Sequence, residues 1–126
     1  MKRLAALLAA LAAILAVAGS ALATAPKLTR RQPTHTERTM IAVADGIPAR
    51  CETTYVSTAD PRWAITTING RCPQYQAGGY SVLHWRGHWR IATEGDEPGC
   101  TVPTSRPGQP KIPRRIWVGL EDLHCT

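Results

Sequence analysis

The chain has 126 residues, a formal net charge of +6 and four cysteines. That length leaves room for one small domain beyond its apolar N-terminal run and excludes a large multidomain enzyme. The charge sits mostly at one end: Lys27, Arg30, Arg31 and Arg38 stand against Glu37 alone, whereas everything after residue 38 holds nine basic and eight acidic residues. A domain so close to neutrality argues against nucleic acid as a partner.

Residues 1–25, MKRLAALLAALAAILAVAGSALATA, join a positive start at Lys2 and Arg3 to an unbroken apolar run and then to small residues at signal-peptidase spacing. This is the layout of a secretory signal peptide cleaved after Ala23 or Ala25. The competing reading is a retained membrane anchor, because the run approaches the length that spans a bilayer. The next segment, residues 26–36, is polar and contains proline, and it reads as a flexible basic leader. Its positive charges, with Arg38, would give weak electrostatic contact with an anionic envelope surface. A single disulfide-stabilised domain is expected over residues 37–126.

Within that domain, TERTMIAVADG places Thr36 as an N-cap, Met40, Ile41 and Ala44 on one face, and Gly46 as a stop, which predicts a short helix over residues 37–45, with a strand over residues 40–44 as the alternative. Two β-prone runs follow at residues 53–57 and 63–68, separated by the Asp-Pro of a turn. NGRCPQYQAGG is a loop, YSVLHW and HWRIATEG are two further strands around Gly87, and DEPGCTVPTSRPGQPK is too rich in Pro and Gly for regular structure. Near the end, Pro113 opens a short amphipathic helix with Ile112, Ile116 and Leu120 on one stripe. The expected fold class is α+β: a small antiparallel sheet of about four strands, a short N-terminal helix and a disulfide-tied C-terminal helix.

Four cysteines in a short exported chain read as two disulfides. The preferred pairs are Cys51–Cys72 and Cys100–Cys125, which close loops of moderate length in separate halves of the domain. Each bridge would contribute about 3 kcal/mol in the loop-entropy picture. The chain has no C-x-x-C pair, so a zinc centre is a poor alternative.

Chemically capable residues crowd together only in VLHWRGHWRIA, residues 82–92. With a two-residue Arg86-Gly87 loop, Trp85 opposes His88 and the two histidines point to opposite faces. With a three-residue loop Trp85-Arg86-Gly87 and a glycine bulge, His84 opposes His88 and both could reach one ion, although only two ligands are then in hand. The favoured reading is a hairpin whose Trp89–Ile91 face closes the core while Trp85, Arg86 and His88 decorate an exposed tip. Those three are the candidate binding residues, since Trp and Arg dominate interface energetics.

Catalytic patterns are wanting: no G-x-S-x-G, H-E-x-x-H or phosphate loop occurs. No catalytic residue, metal ligand or cofactor is expected. Glu94, Asp96 and Glu97 lie on a Pro/Gly-rich loop, where solvation is the ordinary role and a weak calcium site the unusual one.

The run VSTADPRWAITTI, then VLHWRGHWRIATEG, a cysteine, IPRRI and a final cysteine resembles a group of small secreted proteins of actinomycetes. These share a VS-x-x-D-x-x-WA strand pair, a G-x-W-x-V-like strand, a Cys, a VP-x-x-V helix and a terminal Cys. The resemblance covers residues 56–125 and speaks to fold, with no activity carried over. This chain departs from the pattern in having Cys51 and Cys72 and a longer segment before the last cysteine. The functional expectation is an exported, non-enzymatic binding module at or near the cell envelope, acting on a protein or envelope polymer. The alternative is a small secreted hydrolase that uses His84 or His88 with an acidic residue.

Overall fold

The computed structural model describes residues 29–125, so the expected signal segment, residues 1–25, lies outside the described residues. The segment expected as a flexible leader is part of the fold from Thr29 onward. Arg30–Arg31 form a short strand, β1, and helix α1 spans His35–Asp45. Thr34, two residues ahead of the expected cap, is the N-cap. It stands three residues before Glu37, so the two residues cap each other: Glu37 N–H donates to Thr34 Oγ1 at 3.1 Å and Thr34 N–H donates to Glu37 Oε1 at 2.9 Å.

After a 3-10 turn at Ala49–Cys51 come β2 (Glu52–Ser57), β3 (Trp63–Ile68), β4 (Tyr80–Trp85) and β5 (Trp89–Gly95). They pair antiparallel in chain order, β1-β2-β3-β4-β5. The sheet therefore has five strands rather than the expected four. The added one is β1, which is too short to leave an alternating apolar pattern and pairs with the outer edge of β2. Helix α2, Arg114–Glu121, follows the long Pro-rich loop.

Alternation along the strands divides the side chains between two layers. Trp63, Ile65, Tyr80 and Val82 meet Ile112, Ile116, Trp117 and Leu120 on the α2 face. Val56, Ala64, Leu83 and Trp89 meet Ile41 of α1 on the other. Tyr80 pairs across the ladder with Gly95, and its ring lies where a side chain on residue 95 would stand: a Cβ there would come within 2.6 Å of ring carbons.

Both preferred disulfides are present, Cys51–Cys72 and Cys100–Cys125. The second does not tie the helix itself, because α2 ends at Glu121 and the bridge fastens the short tail beyond it. Trp117 is anchored to the same loop by its indole N–H, which donates to the Gly99 carbonyl at 2.7 Å.

Candidate functional site

The hairpin takes neither of the anticipated registers. Trp85 opposes Trp89, and His84 opposes Arg90. The loop is Arg86-Gly87-His88, closed by the Arg86 N–H donating to the His88 carbonyl at 3.0 Å, with Gly87 at φ +77°. A bulge opposite Val82/Leu83 leaves Ala92 as an extra residue on β5 and re-phases that strand. Trp89 and Ile91 consequently face α1, Ala92 and Thr93 face α2, and Glu94, opposite Ser81, faces α1 again. The apolar packing of Trp85 and Trp89 on one face outweighs the simple two-residue turn.

Those two indoles meet edge to face at 5.7 Å and belong to the α1 layer. Trp85 is therefore only half-exposed, packed against the core rather than decorating the tip, while Arg86 and His88 are exposed. Together with Glu37 and Met40 of α1 and Pro61 and Arg62 of the β2–β3 turn, the indoles line a groove of about 290 Å³. Its charged members are paired at its edges: Arg31 grips Glu37 through two bonds of 2.8 and 3.0 Å, and Arg62 grips Asp60 at 2.9 Å. The Arg31 guanidinium, acting first through its hydrogen bond, holds the Glu37 carboxyl down at about 2. The groove is thus an apolar slot with neutralised ends.

The histidines are not brought together. His84 lies on the α2 face and stacks on Trp63 with ring centroids 4.4 Å apart. Burial, and then the neighbouring Arg62, holds it below the ordinary histidine range. His88 sits at the tip and accepts a hydrogen bond at Nε2 from Arg90 Nε. Glu94 faces the opposite side of the sheet from His84 and is bridged to Arg106 at 2.8 Å. Asp60, the acid whose field reaches His84, is engaged by Arg62. No acid–histidine pair of the kind a hydrolase needs is assembled from these groups.

The leader arginines are also committed. Arg30 stacks over the Tyr55 ring at 3.9 Å and donates to the Leu120 carbonyl at 3.0 Å, fastening β1 to α2. With Arg31 on Glu37, this part of the leader spends its charge inside the domain.

A second polar site lies at the C-terminal end of α1, where no sequence motif pointed. Thr54, Thr66, Ser81 and Glu94 form a row across four strands on the α1 face. Asp45, the last residue of α1, accepts from the Thr66 hydroxyl at 2.8 Å. Glu52, at the start of β2, is 3 % exposed and lies within hydrogen-bonding reach of Asp45. Burial first, and the Asp45 carboxyl next, push the Glu52 carboxyl up to about 9. A proton on Glu52 is the donor this pair otherwise lacks, because both Glu52 oxygens and Asp45 Oδ1 are buried without a partner. The signal that could have revealed the site is the register itself: polar residues at alternate, inward positions of β2, β3 and β4. Their inward direction is readable only once the pairing is known.

Compared with protein-family models, with curated proteins and with solved structures, the chain matches none. Among the described residues, no three His, Cys, Asp or Glu side chains are placed to hold a metal ion. The two disulfides indicate an oxidising environment, and no described helix is long and apolar enough to cross a membrane.

Proposed function

We propose that this protein is an exported, non-enzymatic binding module that works at or near the cell envelope and contacts its partner, a protein or an envelope polymer, through the hairpin end of the α1 face. The observation that carries this reading is the Trp85–Trp89 groove, in which two indoles and Met40 line an open apolar slot. Tryptophan in such a position offers a large rigid contact area at small entropic cost, and arginine is its usual companion in interfaces. Arg86 and His88 on the exposed turn, with Arg90 beside them, provide the polar rim. Arg86 and Arg90 also give this end the positive charge that Arg30 and Arg31 do not present. Export rests on the signal-like residues 1–25 and agrees with the two disulfides.

The test is retention of the oxidised protein on a purified envelope fraction, comparing wild type with Trp85→Ala and Arg86→Ala. Trp85→Ala should weaken retention by about tenfold or more, as loss of an interface anchor does, and Arg86→Ala by a smaller factor. Circular dichroism confirms that both variants remain folded. Equal retention of all three proteins would defeat the proposal.

A further inference from the structure

The polar site beyond the C-terminus of α1 opens into a cavity of about 500 Å³, a size suited to a small organic ligand. Its walls combine the hydroxyls of Thr66 and Ser81, the carboxylate of Asp45, and the apolar surfaces of Ile47 and Ile68, with Glu94 and Asp96 at the β5 side and the backbone of Tyr80 between the strands. Among the described residues, no Lys, Arg or His lines it. Glu94 is already paired with Arg106, and among the described residues no Lys, Arg or His forms a salt bridge with Asp45 on the floor. Behind it stands Glu52, 3 % exposed, unpartnered at both oxygens and directed at this floor, since the two groups it touches, Asp45 and Thr66, both line the cavity.

The groups facing the carboxyl pair come from several elements. Helix α1 contributes Asp45 and the more distant Arg38, whose Nη2 is turned to Gln32 at 3.4 Å. β3 contributes Thr66, and β4 and β5 contribute Ser81 and Glu94. Burial keeps a proton on Glu52, and Asp45 faces a cavity with hydroxyl acceptors and aliphatic walls.

We propose that this cavity binds the ammonium group of a primary amine carried on a short aliphatic chain, with Asp45 as the ion-pair partner, the Thr66 and Ser81 hydroxyls as further acceptors, and Ile47 and Ile68 against the chain. An ammonium brings three N–H donors to a floor whose carboxylate and hydroxyl oxygens can accept them. A metal ion suits the site less well: the carboxylates are not gathered into a ligand set, and the cavity is far larger than an ion. Glu52 acts as a positioning residue, holding the Asp45 carboxylate through its proton without meeting the ligand.

The experiment is an NMR titration of the oxidised protein with n-butylammonium chloride, following backbone amides of Thr66, Ser81 and Gly95. Tetramethylammonium chloride and calcium chloride serve as comparison salts. Saturable, one-site shifts at millimolar n-butylammonium are expected, with at least about tenfold weaker effects from tetramethylammonium, which has the charge but no donor. Asp45→Asn should lower the affinity by about tenfold or more, because a charged hydrogen bond is lost. Glu52→Gln, whose amide can still donate to Asp45, should stay within about threefold of wild type. Shifts elsewhere in the spectrum establish that each variant is folded, and Glu94→Gln, on the outer wall, offers a milder probe. The proposal is overturned if n-butylammonium gives no saturable shift, if tetramethylammonium matches it, if calcium binds more tightly, or if Asp45→Asn binds as wild type does.

Discussion

On the α2 face of the sheet the contact layer is mainly apolar, with Trp117, Ile116 and Leu120 essentially without solvent exposure and Thr93 as a buried hydroxyl bonded to the Thr104 carbonyl. On the α1 face, Ile41, Val56, Ala64 and Leu83 form an equally dry centre, but it is flanked at both ends. At one end the Trp85–Trp89 pair opens into a groove, and at the other the Asp45–Glu52 pair floors a polar cavity. One face therefore supplies cohesion with little chemistry. The other gives up some cohesion, since Glu52, Thr54, Thr66 and Ser81 occupy positions that apolar side chains could fill. A small domain with one sheet can place its unusual groups on one side only if the opposite side holds the fold without them.

The sharpest way to break this comparison is to damage the cohesive face. Trp117→Ala removes a fully buried indole and its bond to Gly99, and it should cost about 3–5 kcal/mol. Trp85→Ala, at a half-exposed position, should cost clearly less. Urea unfolding of the two variants checks the ranking, and equal losses would show that the faces do not differ as described.

The disulfides come next in size. Cys51–Cys72 closes a separation of 21 residues beside Glu52, and Cys100–Cys125 closes one of 25 residues around α2. Replacing either pair by alanine should cost about 3 kcal/mol, by the entropy that the open loop regains. Losing Cys100–Cys125 should expose Trp117, read by its fluorescence. Losing Cys51–Cys72 should leave that signal intact and perturb the amides around Glu52. A fluorescence change in both variants would mean that the two layers unfold as one.

The α1 face should also carry a pH dependence, and it has two signs. Glu52 is raised to about 9 in the folded protein from an ordinary value near 4.5, so the native state holds a proton that the unfolded chain gives up. Stability from this group is full below about pH 4.5 and falls as pH rises toward 9, by at most about 1.4 kcal/mol per pH unit. Glu37 is lowered to about 2 by Arg31, so its contribution is full above about pH 4.5 and is lost as pH falls toward 2. Between them these two groups favour mildly acidic pH. Thermal melts from pH 3 to 9 should show Glu52→Gln flattening the alkaline limb and Glu37→Gln flattening the acid limb. An unchanged alkaline limb in Glu52→Gln would place the shared proton elsewhere.

Much of the fold was legible in the order of residues. The four longer strands, the Pro113 helix with its Ile112/Ile116/Leu120 stripe and the two cysteine pairs all follow from local periodicity, turn residues and loop length. The Thr34–Glu37 capping box was equally local, and reading Thr36 as the cap missed a pattern present in the chain. Strand β1 was not legible in this way, because two arginines have no apolar rhythm and find their place only through Tyr55, Leu120 and Glu37.

The sites divide along the same line. The chain alone determined that Trp85, Arg86 and His88 would cluster at a hairpin, since a Gly87 turn between two β-prone runs is a local property. Only the tertiary structure decided that Trp85 faces Trp89 and that His84 and Glu94 lie on opposite sides. The reason is that the three-residue Arg86–His88 loop sets Trp85 opposite Trp89, and the bulged Ala92 then shifts a period-two strand from face to face, carrying Glu94 away from His84. The same holds for Asp45 and Glu52. Six residues of turn separate them in the chain, and only the docking of α1 on the sheet brings the two carboxyls together, with Asp45 Oδ1 and both Glu52 oxygens buried.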